Sequence, residues 1–277
     1  MVAGLDQIIA ATRRRVAVAK RSANLRELER QAQKHAPRGF RHALADRSST
    51  GAAVIAELKK ASPSRGLIRA NFDAADLAQE LEMAGAAALS VLTDEEFFQG
   101  SLENLRCASS NTKLPCLRKD FIVDEFQLIE ARAHGADAIL LIVAVLAQEE
   151  LKALAKKSHA LELDVLCEAH DEEELRRAVN VGSDLIGVNN RNLRTFKVDP
   201  QTTLRLAELI PKNVVGVAES GIGKGIDVAR LRSAGYQAFL IGESLMKAES
   251  PGEALRTLLA EAEREPSPLA VNSQHVF

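Results

Sequence analysis

The sequence contains no tryptophan, a single tyrosine and only three cysteines among its 277 residues. With aromatic residues at 4%, it lacks the stacking surface on which single-stranded nucleic acids bind. The cysteines, Cys107, Cys116 and Cys167, form no CxxC pair, which argues against a zinc site of that spacing and a disulfide framework. This cysteine usage predicts a reducing, cytoplasmic location. No apolar run approaches the roughly 18 residues of a membrane-spanning helix, so we predict no membrane segment.

An excess of charge of either sign is missing as well. The chain has 36 Lys and Arg against 38 Asp and Glu, for a net charge of −2. This balance argues against the broad basic face of a nucleic-acid protein. The histidines show no metal-ligand spacing, so the sequence predicts no metal centre and no cofactor of that kind. A small-molecule partner is the remaining expectation.

Short apolar runs recur at regular intervals from residue 54 onward. Their continuous apolar character is typical of strands buried on both faces, as in a parallel sheet. The eight runs are 54–59, 88–93, 115–119, 138–143, 164–168, 185–189, 214–218 and 238–242. Segments with a helical period lie between them and after the last one. These segments are 73–83, 101–107, 124–134, 148–160, 171–180, 200–209, 225–233 and 251–262.

Four glycines, Gly85, Gly135, Gly182 and Gly235, each precede an even-numbered run. Glycine at such a position supplies the left-handed conformation that ends a helix. The spacing indicates a βαβα unit repeated four times. We therefore predict an α/β fold, a (β/α)₈ TIM barrel with an N-terminal helical extension; a doubly wound open sheet is the alternative.

The predicted domain organisation is simple. Residues 1–265 form one domain, with an extension at 1–47 and the barrel at 54–262, and 266–277 form a disordered tail. The segment 6–34 is amphipathic, helix-like and rich in basic residues. We expect it to pack its apolar face on the barrel and to cover part of the mouth. A mitochondrial transit helix is the alternative, because such peptides are rich in arginine and poor in acid.

Charged and polar residues end several of the predicted strands. In a TIM barrel the active site lies at the carboxyl ends of the strands, so these residues converge on one mouth. They are Glu57, Lys59, Lys119, Glu168, Asn189, Arg191 and Glu219. Packed together, such groups shift one another's pKa values, which is how catalytic acids and bases are tuned.

Glycine-containing turns follow the last two predicted strands, at Ser220-Gly221 and at Gly242-Glu243. In TIM barrels this region commonly holds a phosphate on backbone N–H groups. A plain turn is the alternative. Glu243 is an unusual neighbour for a phosphate, so we expect its side chain to point away.

Five motifs together resemble the indole-3-glycerol phosphate synthase family. They occupy 56–64, 93–101, 117–123, 186–193 and 218–222, and the resemblance runs from about residue 4 to about residue 262. It implies ring closure, decarboxylation and dehydration of 1-(2-carboxyphenylamino)-1-deoxyribulose 5-phosphate. The product is indole-3-glycerol phosphate, an intermediate of tryptophan biosynthesis. The resemblance also implies that no metal or organic cofactor is needed, and that the chain acts as a monomer.

The resemblance assigns roles to individual residues. Lys119 matches the lysine that protonates the ketone oxygen, and Lys59, paired with Glu57, matches a second lysine beside the phosphate and hydroxyls. Glu168 matches the carboxylate that handles protons at the amino group and in the dehydration, and Asn189 completes the catalytic set. The substrate-binding positions are Ser62, Phe98, Phe121, Leu140, Arg191, Leu193, Glu219 and Ile222. The phosphate-binding positions are Lys59, Ser220, Gly221, Gly242 and Glu243. Ala61 and Glu243 depart from the commoner family residues.

Two other functions fit the same fold. A Schiff-base aldolase would use Lys119 or Lys59 as a neutral nucleophile. The nearby carboxylates argue against this function, because they keep an ammonium charged. The second alternative is a protein that senses phosphorylated ligands and has no catalytic activity. The acidic and basic residues retained at the catalytic positions argue against this alternative.

Overall fold

A computed structural model describes residues 4–264 and shows a closed barrel of eight parallel strands. The strands are β1 Ala53–Leu58, β2 Ala88–Leu92, β3 Cys116–Lys119, β4 Ala138–Ile142, β5 Asp164–Ala169, β6 Leu185–Asn189, β7 Val215–Glu219 and β8 Ala238–Ile241. Each strand pairs with its neighbours in chain order, and β8 closes the barrel on β1 with Ala53 opposite Ala238. The prediction of a TIM barrel is confirmed, and the open sheet is wrong.

Helices connect successive strands and surround the barrel. They are α4 Ala74–Met83, α5 Glu95–Phe98, α6 Leu102–Ser110, α7 Phe126–Ala133, α8 Gln148–Ala160, α9 Glu172–Asn180, α10 Gln201–Leu206, α11 Gly225–Ser233, α12 Glu243–Lys247 and α13 Pro251–Arg264. The four predicted helix-ending glycines all have positive φ angles, between 78° at Gly182 and 108° at Gly235. None of the described helices is both long and apolar enough to span a bilayer.

Strand alternation explains which residues reach the mouth. In β1, Val54, Ala56 and Leu58 belong to the layer between strands and helices. Ile55 belongs to the barrel interior. Because successive side chains point to opposite faces, Glu57 shares the face of Ile55, one step closer to the mouth. The same period places Lys119, Glu168, Asn189 and Glu219 above interior apolar residues. These residues are Leu117, Leu166, Leu185 and Val217.

The N-terminal extension is three helices, where the sequence predicted one helix-like segment. These are α1 Leu5–Ser22, α2 Leu25–Lys34 and α3 Phe40–Thr50. Asn24 separates the first two, because its side chain accepts a hydrogen bond from the Glu27 N–H and caps α2. The predicted end of the extension at 47 and the predicted start of the barrel at 54 stay predictions. Helix α3 ends at Thr50. The predicted tail, 266–277, lies outside the described residues.

The extension contacts both ends of the barrel. Ile8 of α1 is buried beside the mouth, and Lys20 donates to Asp124, which follows β3. α2 packs against α7 on the side. Phe40 and Leu44 of α3 are fully buried in the interior cluster that also contains Ala53 and Ile55. We call this closed end, at the start of the strands, the floor.

Two small features of the loops were not predicted. Ala61–Ser62 and Gly66–Leu67 form an antiparallel hairpin after β1, which carries Arg65 in its turn. Helix α7 also begins at Phe126, two residues after the predicted start at 124. Glu125 is the residue at the cap position, while Asp124 accepts a hydrogen bond from the Phe126 N–H at 2.8 Å.

Candidate active site

A cavity of about 500 Å³ opens at the carboxyl ends of the strands. All residues predicted to contact or act on the substrate line it, including those on the turns after β7 and β8. Additional lining residues came from the tertiary structure alone. They include Leu5, Ile8, Arg65, Asp94, Asp120, Phe196 and Lys247. The cavity therefore unites residues from the barrel strands, their loops and the first helix.

Two lysines in the cavity are each held by a carboxylate. Lys59 Nζ donates to Glu57 Oε1 at 2.6 Å, and Lys119 Nζ donates to Glu168 Oε2 at 2.8 Å. Lys119 Nζ also lies 3.6 Å from Glu219 Oε2. The three carboxyl groups are almost fully buried, so the interior dielectric strengthens these pairs. Both lysine side chains line the mouth and donate to buried carboxylates.

The pKa directions separate the two carboxyl groups beside Lys119. Burial raises the pKa of Glu219, and the neighbouring Glu168 charge raises it further. Burial also opposes ionisation of Glu168, but the Lys119 ammonium and His170 outweigh it and lower the Glu168 pKa. For Lys119 itself, the surrounding carboxylates overcome burial and raise the pKa. The pKa values of Lys119 and Glu168 are thus shifted in favour of their charged forms, and that of Glu219 in favour of its protonated form.

Glycine makes room for two of these carboxyl groups. A Cβ atom at position 187 would collide with Glu219 Oε1, and one at position 242 would collide with Glu57 Oε1. Both Gly187 on β6 and Gly242 after β8 therefore permit a neighbouring acid to point into the mouth. The role of Gly187 was not anticipated from the sequence.

The turn after β7 has an unusual backbone. Ser220 and Gly221 adopt consecutive left-handed conformations, with φ angles of 64° and 77°. Such a conformation is uncommon for serine and marks a backbone held by its surroundings. Asn190 helps to hold it, because its side-chain amide donates to the Ser220 carbonyl at 3.0 Å. The turn lies next to Gly242 in the lining of the cavity.

Glu243 lies in a cluster of cations. Its Oε1 accepts from Lys247 Nζ at 2.6 Å and lies 3.0 Å from Arg65 Nε, while its Oε2 lies 3.5 Å from Arg191 Nη2. The carboxylate thus joins the hairpin after β1, the loop after β6 and helix α12. Burial opposes ionisation, but Lys247 and Arg65 hold the pKa of Glu243 below its ordinary value. Its side chain lines the cavity among the cations.

Several apolar side chains also line the cavity. The rings of Phe98 and Phe121 lie 6.4 Å apart, centre to centre, at 45° to each other. Leu140 from β4 and Ile222 after β7 line the same cavity, as does Phe196, which the sequence did not single out. The rings of Phe98 and Phe121 offer an apolar surface for a planar ring, whereas Phe196 and Ile222 lie close to the cations and the turn after β7.

Helix α1 is fixed to the rim by a partly buried charge network. Arg15 Nη1 donates to Asp94 Oδ2 at 2.7 Å, and Arg15 Nη2 donates to Asp120 Oδ1 at 3.3 Å. Asp120 also accepts from Arg118 and from the Phe121 N–H. This charge network therefore links α1 to Arg118 and Asp120, the residues that flank Lys119 in sequence.

Comparison with known proteins gives the family. A model of the family described as indole-3-glycerol phosphate synthase matches residues 5–258. An indole-3-glycerol phosphate synthase of Koribacter versatilis is 60% identical over 94% of this chain and 100% of its own length. The chain belongs to the indole-3-glycerol phosphate synthase family. A Bordetella pertussis member is 51% identical over 92% of this chain and 98% of its own length.

Membership in the indole-3-glycerol phosphate synthase family confirms the predicted activity. The chain is a carboxy-lyase of tryptophan biosynthesis, which converts 1-(2-carboxyphenylamino)-1-deoxyribulose 5-phosphate to indole-3-glycerol phosphate. Among solved structures, a mandelate oxidase variant aligns with a TM-score of 0.61 at 16% identity, over 85% of this chain and 92% of its own. At that identity the likeness shows the shared barrel alone.

Proposed function

We propose that the Lys119 ammonium is the general acid of ring closure. The observation that carries this role is its position in the mouth, 2.8 Å from the Glu168 carboxylate and 3.6 Å from Glu219. When the aromatic carbon attacks the ketone carbon, the carbonyl electron pair moves to oxygen, and a proton from Lys119 neutralises it. Loss of CO₂ from the ring then restores aromaticity. A positioned acid of this kind contributes about 10²–10⁴-fold to the rate.

Lys59 and Glu57 act on the other side of the substrate. Lys59 is held 2.6 Å from Glu57 Oε1, and both line the cavity with Gly242. We assign Lys59 to the phosphate and hydroxyl groups of the substrate. There its ammonium charge neutralises the phosphate and its N–H groups bind hydroxyl oxygens. Glu57 orients this lysine by accepting its hydrogen bond.

Glu168 serves the proton steps at the substrate nitrogen and in the dehydration. Water leaves when the hydroxyl formed in ring closure takes a proton and a base removes a proton from the ring carbon between it and the nitrogen, so that the C–H electron pair forms the new double bond and the nitrogen keeps its hydrogen. An ionised Glu168 next to an ammonium can perform the second part, and Lys119 or Lys59 can supply the first. Asn189, at the end of β6, lies within the same cavity and orients the reacting groups. Arg191, Leu193 and Glu219 complete the set that positions the substrate.

The two ends of the cavity fit the two ends of the substrate. The phosphate would bind at Ser220, Gly221, Gly242 and Glu243, where backbone N–H groups and nearby cations favour an anion. The carboxyphenyl ring would lie against the apolar wall of Phe98 and Phe121, with Leu140 and Ile222 beside it. Ser62, on the hairpin after β1, contributes a hydroxyl near the phosphate end.

The test is product formation in matched variants. Indole fluorescence follows the reaction directly, because the protein has no tryptophan. We expect Glu168→Gln to lower kcat with little change in KM, and Lys59→Met to raise KM and lower kcat together. Leu193→Ala is the control for loss of a substrate contact without loss of a titrating group. Full turnover by Glu168→Gln would contradict its role.

We further propose that the protein acts in the cytoplasm as a monomer, without nucleic acid or membrane. Three free cysteines and a metabolic substrate support the location. Large exposed apolar side chains of the described region, such as Val18, Met83 and Ile226, lie on different helices. Light scattering during gel filtration tests the oligomeric state: a mass well above 30.0 kDa would contradict the monomer.

A further inference from the structure

His170 is a buried histidine that none of the assigned steps uses. It directly follows β5 and its side chain is 12% exposed. Its Nδ1 lies 2.9 Å from Glu174 Oε2, and its backbone N–H donates to the same oxygen at 2.8 Å. Its Nε2 lies 3.3 Å from Glu168 Oε1, close enough for an ion pair though not aligned as a hydrogen bond. Both ring nitrogens therefore face a carboxylate.

This geometry decides the charge of the ring. A neutral imidazole has one N–H and one lone pair, so one carboxylate oxygen would face a lone pair. Only the imidazolium presents an N–H to both Glu168 and Glu174. Burial opposes this charge, but the contacts with Glu168 and Glu174 outweigh it and raise the pKa of His170 to about 10.

The surrounding cations also distinguish Glu168, a partner of His170, from Glu219. Glu168 has a cation at each oxygen, Lys119 at Oε2 and His170 at Oε1. Within the described residues, Glu219 on β7 has the more distant Lys119 as its ion-pair partner, and its Oε1 has no hydrogen-bond partner. Both carboxyl groups approach Lys119 Nζ, and two buried carboxyl groups that share one lysine do not readily ionise together, so the surrounding cations select the one that does. The charges facing this pair are those of His170, Lys119, Glu174 and, further off, Glu57.

We propose that His170, held as a cation by Glu174, is a positioning residue that keeps Glu168 ionised and leaves the proton on Glu219. The inference rests on the proposed role of Glu168 and adds the device that sets its charge. His170 does not touch the substrate in this scheme. Without the imidazolium, the proton would be shared between the two carboxyl groups, and Glu168 would be a base for only part of the population.

The first experiment is a pH profile of kcat/KM. In His170→Gln we expect the acidic limb of the profile to shift to higher pH by about one unit. At a fixed pH on that limb, kcat/KM should therefore be about tenfold lower than in the wild type. The profile should approach that of the wild type at alkaline pH, where both acids are ionised. Glu174→Gln should shift the same limb in the same direction but less. His134→Gln, whose ring contacts the Glu130 carbonyl at the end of α7, is the matched control.

The second experiment does not depend on activity. ¹⁵N NMR of histidine-labelled protein, with His170 assigned from its absence in His170→Gln, should show both ring nitrogens protonated at pH 8. A neutral ring at that pH would overturn the proposal. A His170→Gln variant that loses the same factor at every pH would also overturn it, since a merely structural defect does not move the limb. Full turnover by Glu168→Gln would instead remove the proposed function, whatever the charge of His170.

Discussion

The mouth and the floor of the barrel each contain a buried carboxyl group, but the two groups are surrounded in opposite ways. At the floor, Asp137 accepts hydrogen bonds from the Arg38 guanidinium and backbone N–H and from the Cys116 N–H, and contacts His35. At the mouth, among residues 4–264, Glu219 has one oxygen without a hydrogen-bond partner and a lysine 3.6 Å from the other.

Their pKa values diverge accordingly. Burial opposes ionisation of Asp137, but His35 and Arg38 outweigh it and lower the pKa. Burial and the nearby Glu168 raise the pKa of Glu219. A carboxylate whose lone pairs are all satisfied stabilises the fold. A buried carboxyl group left short of partners instead costs stability, and such perturbed groups are typical of functional sites.

The largest effect is expected at the mouth, from Lys119→Ala. Turnover should fall by at least about 10²–10⁴-fold, a loss of roughly 3–5 kcal/mol in transition-state stabilisation. The fold should stay intact, because the lysine lies at the cavity and not in the packed interior. Indole fluorescence measures turnover, and circular dichroism checks the fold. Turnover close to that of the wild type in a folded variant would show that Lys119 is not the acid.

Asp137→Asn, at the floor, should lower the stability and leave turnover nearly unchanged, which is the reverse of the effect expected for Lys119→Ala. It leaves Arg38 without its charged partner, and we expect a loss of about 3 kcal/mol in the free energy of unfolding, measured with urea at pH 7. Because the folded pKa of Asp137 is lowered, its contribution is present above the unfolded value of 3.8 and is lost as the pH falls through the folded value. The kcat of the folded fraction should stay near that of the wild type. An equal stability for both proteins would contradict the structural role.

Two truncations separate the helices that contact each end. A protein that starts at residue 24 lacks α1 and the Arg15 contacts, so KM should rise and kcat should fall, together about tenfold in kcat/KM. The change in KM should depend on salt, because exposed charges are screened within about 8–10 Å. Unchanged constants would make α1 a stabilising appendage.

Starting at residue 46 also removes Phe40 and Leu44, and should cost far more stability than the shorter truncation. Phe40→Ala in the full chain is the matched control for the floor. It should lose roughly 3–5 kcal/mol of stability and keep its kinetic constants.

Glu219→Gln should be more stable than the wild type, by roughly 1 kcal/mol at pH 8, while it turns over more slowly. The folded pKa of Glu219 is raised above its ordinary value of 4.5. The wild type therefore loses stability relative to the variant as the pH rises from that value toward the folded one. Urea unfolding at pH 4 and pH 8 measures the difference, which should be small at the lower pH. A variant that is less stable at pH 8 would contradict the comparison with Asp137.

The smallest effect concerns the phosphate end. Inorganic phosphate or sulfate should bind at the turns of Ser220-Gly221 and Gly242-Glu243. Glu243→Gln removes an anion that competes for Arg65 and Lys247, so phosphate should bind about threefold more tightly by calorimetry. Gly221→Ala should weaken binding, because its Cβ would lie 2.7 Å from Val198 and the backbone has positive φ. Sulfate seen elsewhere in the mouth, with none at these turns, would contradict the assignment.

The sequence by itself determined the eight strands, the helices between them and the glycines at helix ends, because these depend on local periodicity and backbone freedom. Strand alternation also determined that Glu57 and Lys59 share a face, and that the strand ends meet at one mouth. Once the barrel was inferred, the acidic and basic residues of the site could be predicted from their positions at the strand ends.

Only the tertiary structure decided how the extension and the loops meet the barrel. Phe40 closes the floor, Arg15 reaches Asp94 and Asp120, and the imidazole of His170 reaches Glu168. Arg15 lies far along the chain from its acids, and local sequence patterns contain no information about a contact at such a distance. His170 lies just after the end of β5, where the alternation of side chains along a strand no longer determines which way a side chain points. Packing of the closed barrel sets these contacts, and with them the charges of the site.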